Sequence, residues 1–164
     1  MAGLSEFVRL RDYRPADHAA VIALDREVMA PLGLSRPIDH PRRRDLRELD
    51  RIYAHPTGGF LVGEADDGLV AMGGFLREED GVARLKRLRV DLNWQRRGIA
   101  RQLVGMLEIR AMEAGYRAIM LHVTERQPAA LALYPRLGYR LTHTAKGDQG
   151  IDSYFRKELF HRPD

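Results

Sequence analysis

The chain has no cysteine among its 164 residues, and this absence removes several kinds of chemistry. Disulfide bonds, thiolate metal sites and cysteine nucleophiles are excluded. No apolar run approaches the roughly 20 residues of a membrane-spanning helix. Residues 1–6 lack the basic-then-apolar pattern of a secretory signal. We therefore expect a soluble cytoplasmic protein with no metal cofactor and no membrane partner.

A strong charge of one sign is also missing, since the formal net charge is +4 although the sequence pI is about 9.7. The basic pI suggests a nucleic-acid-binding protein, but the sequence has no helix-turn-helix pattern, no set of zinc ligands and no aromatic stacking strand. Much of the basic excess is local, at residues 42–44, 84–89 and 96–101, as a phosphate-binding site requires. We expect no nucleic-acid partner.

Repeats, low-complexity tracts and linker-like boundaries are absent, so the sequence predicts one domain over residues 1–164. A domain of this size buries about 70% of its unfolded surface. Apolar periodicity predicts strands over residues 7–11, 60–64, 69–76, 82–90, 118–124, 139–144 and 151–159. It also predicts a helix beginning at Pro15 and helices over residues 42–53, 99–114 and 128–137. Asp-Gly turns between the second, third and fourth strands favour antiparallel hairpins.

The most informative segment is Gln95-Arg96-Arg97-Gly98-Ile99-Ala100, which joins a predicted strand to a predicted helix. The first turn of a helix offers unpaired N–H donors and a partial positive charge. Gly98 has no Cβ to obstruct a bulky anion, and the arginines add positive charge. The segment lacks the Gly-Lys-Ser/Thr of a nucleoside-triphosphate loop and the further glycines of a dinucleotide fingerprint. It predicts a pyrophosphate cradle.

A second segment, residues 127–139, follows another apolar strand and contains Ala-Leu-Ala-Leu-Tyr-Pro-Arg-Leu-Gly-Tyr. Together, in this order and spacing, the two segments resemble the GNAT superfamily of acyl-coenzyme A dependent N-acyltransferases. The resemblance is close over residues 82–139. It implies an α/β (α+β) GNAT fold, with a single mixed sheet of about seven strands flanked by about four helices. It also implies acetyl-coenzyme A as cosubstrate.

The resemblance assigns the residues that bind the acyl donor. Backbone N–H groups of Leu88, Arg89 and Val90 are left free where two strands splay apart, and the Val90 N–H faces the thioester oxygen. The pyrophosphate turn comprises Gln95, Arg96, Arg97, Gly98, Ile99, Ala100 and Arg101. Gln127 stands where the family often has an asparagine that contacts the coenzyme arm. Tyr134 stands where the family often has a tyrosine near the coenzyme sulfur.

Acyl transfer needs a polarised carbonyl, a deprotonated amine and a stabilised leaving thiolate. Tyr134 is the candidate general acid, and the alternative is a tyrosine that only closes the core. Many relatives carry a glutamate on the strand before the cradle, but residues 84–89 contain no acid. The candidates for a base are Glu125, His122, Glu78 and Glu79, and a water chain without a dedicated base is equally open.

The acceptor side is predicted to be rich in arginine, a side chain suited to bidentate carboxylate recognition. The residues concerned are Arg42, Arg43, Arg44, Arg47 and Arg51 on one helix, and Arg84, Arg87 and Arg89 on the strand. They hint at an amine that also carries an acid group. The alternative is a solvated helix face paired with the interleaved Asp45, Glu48 and Asp50.

We therefore expect an N-acetyltransferase that passes an acetyl group to a primary amine of a small molecule or amino-acid-like acceptor, by direct attack in a ternary complex. Two alternatives stay open, a protein N-acetyltransferase and a non-catalytic acyl-coenzyme A binding module. The sequence does not determine the identity of the acceptor, the preferred length of the acyl chain or the oligomeric state, for which a homodimer is possible.

Overall fold

A seven-stranded mixed sheet forms the centre of the computed structural model, which describes residues 7–160. The strands are β1 Arg9–Asp12, β2 Gly59–Ala65, β3 Gly68–Glu79, β4 Val82–Val90, β5 Ala118–Thr124, β6 Arg140–Gly147 and β7 Gly150–Glu158. The α-helices are α1 His18–Met29, α2 Arg44–Arg47, α3 Leu49–Ile52, α4 Ile99–Glu113 and α5 Pro128–Arg136. None of the helices between residues 7 and 160 has the length and apolar character that crossing a membrane requires.

The strands lie in the order β1-β2-β3-β4-β5-β7-β6. Only the β4–β5 pair is parallel among the six described pairings, because the chain crosses over through α4 between these two strands. The β2–β3 and β3–β4 hairpins are antiparallel, as the Asp-Gly turns predict. The predicted mixed sheet of seven strands is confirmed.

Two apolar clusters cover the two faces of the sheet. One contains Leu103 and Leu107 of α4 together with Leu61 of β2. The other contains Val21 and Leu24 of α1, together with Phe60 and Val62, the neighbours of Leu61 in β2. Successive side chains of a strand point to opposite faces, so α1 and α4 lie on opposite sides of the sheet.

The single helix predicted over residues 42–53 is wrong. The chain instead forms a 3-10 turn, Pro41–Arg43, followed by α2 and α3. The break falls at Glu48, where φ is −113° and ψ is 39°, outside the helical region. The break separates buried from exposed side chains of this segment. Arg43 and Asp45 are buried, whereas Arg44 and Arg51 are exposed and form ion pairs with the Glu48 carboxylate.

Smaller differences concern the ends of elements. The predicted first helix starts with a 3-10 turn, Pro15–Asp17, before α1. The first strand covers Arg9–Asp12 rather than residues 7–11. The predictions for residues 1–6, and for the last four residues of the domain, lie outside the described residues.

Candidate active site

The parallel strands β4 and β5 separate soon after they begin. Their ladder joins only residues 82–84 to residues 118–120, while β4 continues to Val90 on the side of β3. One extra residue enters β4 opposite Met72 and Gly74, and Arg87 at this bulge has a φ of 61°. A cavity of about 440 Å³ opens beside the separated strands. This is the divergence that the family resemblance predicts.

The predicted pyrophosphate turn lies at the N-terminus of α4. Gly98 is the residue before the helix and has a φ of 78°, a left-handed conformation that glycine adopts readily. A Cβ built on Gly98 meets no protein atom within 4 Å. Arg96 shares the left-handed region, with a φ of 63°. The turn therefore combines free helix N–H groups with room for a bulky anion, which fits the pyrophosphate of a coenzyme A.

The flanks of this turn are held by local contacts. The Asp91 carboxylate accepts a hydrogen bond from the Asn93 N–H at 2.8 Å. The Arg97 guanidinium lies over the Trp94 ring, 4.7 Å from its centre. The Gln95 amide donates to the Val90 carbonyl at 3.2 Å, which connects the turn to the end of β4. The surface arginines of the turn therefore stand next to the separated strand.

The structure places the predicted donor residues in two neighbouring groups. Leu88, Arg89, Gln127 and Tyr134 line the cavity. Val90 and residues 95–101 lie outside the lining, beyond the end of β4. A long ligand could thus run from the turn along β4 into the cavity.

Tyr134 lies on α5 and is 4% exposed. Its ring meets the Tyr139 ring edge-on at 5.5 Å and lies 6.1 Å from the Phe155 ring. Burial raises the pKa of its hydroxyl, and the positive charge of Arg89 offsets this only in part. The hydroxyl therefore stays protonated at neutral pH, so that it is available as a proton donor. The ring packs in the core and also lines the cavity, so the structure accommodates both predicted roles.

Of the four candidate bases, His122 on β5 is the one that lines the cavity. Arg84 donates a hydrogen bond to its Nδ1 at 3.0 Å, because a guanidinium has no acceptor. The lone pair of His122 is therefore occupied, and the neutral ring carries its proton on Nε2. Desolvation and the charge of Arg84 lower the pKa of His122. The ring is thus suited to donate a hydrogen bond rather than to accept the proton of an amine.

The other candidates lie elsewhere. Glu78 faces the Arg84 guanidinium at 3.4 Å, Glu79 is exposed at the end of β3, and Glu125 lies against Gly150 at the start of β7. None of the three lines the cavity. Among residues 7–160, no group of three or more histidine and acidic side chains is arranged to hold a metal ion.

A buried aspartate of α1 holds two arginines at the cavity. Arg43 Nη2 and Arg89 Nε lie 2.9 Å from the two carboxylate oxygens of Asp25. Asp25 and Arg43 are each 4% exposed. The Arg43 Nε is buried without a hydrogen-bond partner. One carboxylate with two guanidinium groups leaves this Asp25 cluster with a net charge of +1.

A second aspartate, Asp45 of α2, repeats the arrangement. Arg87 donates to both of its oxygens, at 2.7 and 2.9 Å, and Tyr53 donates to one of them at 2.6 Å. Lys86 Nζ lies 3.8 Å away. Burial opposes ionisation, but Arg87 and Lys86 outweigh it and lower the pKa of Asp45 to about 2. With two cations on one carboxylate, the Asp45 cluster also has a net charge of +1.

The third cluster joins distant parts of the chain. Asp148 in the β6–β7 turn accepts from Arg36 at 2.8 Å and from Arg42 at 3.0 Å. All three side chains line the cavity. The Asp148 cluster again carries +1, so the three clusters together surround the cavity with positive charge.

Of the eight arginines predicted on the acceptor side, five lie at the cavity and three do not. Arg42, Arg43, Arg84, Arg87 and Arg89 line the cavity. The other three, Arg44, Arg47 and Arg51, lie outside the lining, where Glu48 and backbone carbonyls bind them. The sequence analysis missed Arg36 and Lys86, since no local motif marks either residue.

Comparison with known proteins agrees with this geometry. A model of the acetyltransferase (GNAT) family matches residues 12–139. Human N-acetyltransferase 8 is 33% identical over 104 residues, which cover 60% of this chain and 46% of that protein. N-acetylaspartate synthetase of Danio rerio is 31% identical over 105 residues, or 63% of this chain and 37% of that protein. The chain thus spans less than half the length of these curated relatives.

Solved structures share the fold. A GNAT-family acetyltransferase from Staphylococcus aureus superposes with a TM-score of 0.84 at 16% identity, over 94% of this chain and all of that chain. The PaiA N-acetyltransferase of Thermoplasma acidophilum, solved with coenzyme A, gives 0.76 at 18% identity, over 93% and 99% of the two chains. Because the family model covers well over half of the sequence and the fold agrees, the chain belongs to the GNAT acetyltransferase family.

Proposed function

We propose that this protein is an N-acetyltransferase that transfers the acetyl group of acetyl-coenzyme A to a primary amine, by direct attack in a ternary complex. The observation that carries the proposal is the continuity of three features. The Gly98 turn stands at the N-terminus of α4, the end of β4 adjoins that turn, and β4 borders a cavity lined by Tyr134. Acetyl-coenzyme A would supply the activated acetyl group when it is bound.

Different residues would bind different parts of acetyl-coenzyme A between the Gly98 turn and the cavity. The Gly98 turn would hold the pyrophosphate with the first N–H groups of α4 and with the charge of Arg96, Arg97 and Arg101. The backbone at Leu88–Val90 would hold the pantetheine arm and polarise the thioester carbonyl. Gln127, whose amide now lies 3.9 Å from Met29 Sδ, would contact the same arm.

Tyr134 would donate its proton to the leaving sulfur. Its hydroxyl is a weaker acid than an exposed phenol because burial raises its pKa. Burial in a dry cavity disfavours the charged thiolate as well, and this raises the basicity of the leaving sulfur. The hydroxyl and the sulfur therefore stay matched for proton transfer. Arg89 supplies positive charge close to Tyr134 and limits the rise in the pKa of its hydroxyl, which favours the proton transfer.

We further propose that the acceptor is a small or amino-acid-like amine that carries an acid group. The support is the positive charge of the Asp25, Asp45 and Asp148 clusters around one cavity. The name of one relative, N-acetylaspartate synthetase, points to an acidic amino acid in that protein. Aspartate is accordingly the first acceptor to test, in an assay of thiol release with a panel of amines. Absence of thiol release with every amine, in a protein that binds coenzyme A, would favour a non-catalytic binding module.

The first prediction concerns Gly98. Gly98→Val adds a branched side chain where the pyrophosphate is placed, and it also strains a left-handed backbone. We expect the affinity for coenzyme A, measured by calorimetry, to fall by at least about tenfold, because the side chain would displace the pyrophosphate from the helix N–H groups and hydrogen bonds to charged groups contribute about 1.5–3 kcal/mol.

Gly115 provides the matched control for this strain. It lies just beyond the other end of α4, has a φ of 94° and also has open space around an added Cβ. Gly115→Val should cost similar stability without changing the affinity for coenzyme A. Unchanged affinity in a folded Gly98→Val protein, as judged by circular dichroism, would refute the cradle.

The second prediction concerns acceptor choice. L-aspartate should be acetylated with a kcat/KM about 10- to 100-fold higher than its diamide, since hydrogen bonds to charged groups contribute about 1.5–3 kcal/mol. Arg42→Gln should narrow this ratio, because Arg42 lines the cavity. Arg44→Gln is the control, since Arg44 lies outside the lining on Glu48. Equal efficiency for the two amines would contradict an acid-selective site.

A further inference from the structure

Lysine is rare in this chain. Of the 27 basic residues, 24 are arginine and only Lys86, Lys146 and Lys157 are lysine. All three lie within residues 7–160, and Lys86 is the one of them that lines the cavity. An arginine stays protonated in proteins and is not a nucleophile, whereas a lysine can lose its proton and become one. Among the three lysines, Lys86 is therefore the one that lies where an acyl donor is proposed to bind.

The surroundings of Lys86 hold its ammonium group loosely. Its side chain is 32% exposed, and its Nζ lies 3.8 Å from Asp45, beyond hydrogen-bond distance. The Asp45 oxygens already accept hydrogen bonds from Arg87 and Tyr53. Lys86 is therefore the outermost partner of that carboxylate and is free to adopt another position.

Burial favours the neutral form of Lys86, and its charged neighbours act in both directions. Arg84 and Arg87 flank it on β4, while Asp45 of α2 and Glu78 of β3 oppose them. Desolvation has the largest effect, and together with the two guanidinium groups it lowers the pKa of Lys86. A larger fraction of this amine is thus unprotonated near neutral pH than of an exposed lysine.

We propose that Lys86 is an intramolecular acceptor, which the protein acetylates on Nζ when acetyl-coenzyme A is bound and no external amine competes. The inference rests on the proposed function, since it uses the same donor and the same cavity. Lys86 and Leu88 lie about 7 Å apart along β4, so the amine extends from the strand that is proposed to hold the pantetheine arm.

The reaction balances without any further reagent. The neutral Nζ of Lys86 forms a bond to the acetyl carbon, and the carbon–sulfur bond breaks with its electron pair on sulfur. The nitrogen loses one proton to solvent, and the sulfur takes one from the Tyr134 hydroxyl, which solvent then reprotonates. The products are N-acetyl-Lys86 and coenzyme A.

Acetylation would change the site that carries it. The Asp45 cluster would lose one positive charge and fall from +1 to neutral, with Arg87 as its remaining cation. The cavity would then attract an acidic acceptor less strongly. Modified protein should accordingly show a higher KM for aspartate than unmodified protein.

The test is to incubate the purified protein with acetyl-coenzyme A alone and to follow acetylation by intact mass and peptide mapping. Lys146 is exposed on β6 and reports the background reaction in solution. We expect Lys86 to be acetylated at least about tenfold faster than Lys146, because a donor held in the cavity beside the Lys86 amine reacts faster than a donor that must meet Lys146 by diffusion. Lys86→Arg should remove the fast site and leave the Lys146 rate unchanged.

Two further measurements separate the reactivity of the Lys86 amine itself from the effect of a donor bound beside it. Labelling with acetic anhydride in the absence of coenzyme A should modify Lys86 at a lower pH than Lys146, which tests the amine itself. Gly98→Val should slow the reaction of Lys86 with acetyl-coenzyme A but not that of Lys146. Equal rates for the two lysines would overturn the inference.

The failure of this inference is distinguishable from failure of the proposed function. If the wild-type protein acetylates an external amine while Lys86 reacts no faster than Lys146, only the inference fails. If coenzyme A does not bind and no amine releases thiol, the proposed function fails as well.

Discussion

Replacing Tyr134 by phenylalanine is expected to lower the single-turnover rate of acetyl transfer by about 10²- to 10⁴-fold, the usual contribution of a positioned proton donor. The ring contacts with Tyr139 and Phe155 remain, so the fold should persist. The KM for acetyl-coenzyme A should change little, because the proton is needed mainly in the transition state. Single-turnover measurements are required, since slow product release in the wild type would conceal part of the loss.

Tyr139→Phe is the matched control for this experiment. Tyr139 is also a buried tyrosine, and its ring packs against that of Tyr134, but its hydroxyl donates to Glu108 at 2.9 Å away from the cavity. This variant should lose stability and keep its rate. If Tyr134→Phe retained nearly the full rate, Tyr134 would have only a packing role, and the sulfur would leave unassisted or take its proton from water.

The second large effect is expected at Asp25. Asp25→Ala removes the carboxylate that neutralises Arg43 and Arg89, whose side chains are 5% and 10% exposed. Two guanidinium groups then remain buried without a counter-charge, and removing one partner of a buried ion pair costs about 3–5 kcal/mol. Urea unfolding should show this loss in the free energy of unfolding.

Glu48 provides a comparison that differs mainly in burial. It also joins two arginines, Arg44 and Arg51, each at 2.6 Å, but all three side chains are on the surface. Glu48→Ala should leave the unfolding midpoint nearly unchanged, because surface ion pairs are screened by water and salt. A loss at Asp25 no larger than at Glu48 would show that burial does not determine the strength of these pairs.

The sequence alone predicts the elements whose information is local. Alternating apolar residues identify the strands, and Asp-Gly turns identify the hairpins, because these signals depend on neighbours within a few residues. The turn at residues 95–100 is recognisable for the same reason, since strand, glycine and helix follow one another directly. The predicted sheet and the position of α4 are confirmed.

The segment between α1 and β2 shows where local patterns are insufficient. Apolar residues at helical spacing predict one helix over residues 42–53, yet the backbone breaks at Glu48. Asp45 of this segment binds Arg87, which lies 42 positions further along the chain. A partner at that distance has no signature in the residues around Asp45, so the break is not predictable from them.

The sequence by itself determined the family, the order of strands and helices and the turn proposed to hold pyrophosphate, because each depends on a short run of residues. Only the tertiary structure decided which cations face the acceptor cavity. Asp25, Asp45 and Asp148 reach partners on other elements, and those contacts sort the buried arginines from the exposed ones. The physical reason is that an unpaired charge is costly when it is buried. An arginine is therefore buried only where the fold brings a carboxylate next to it.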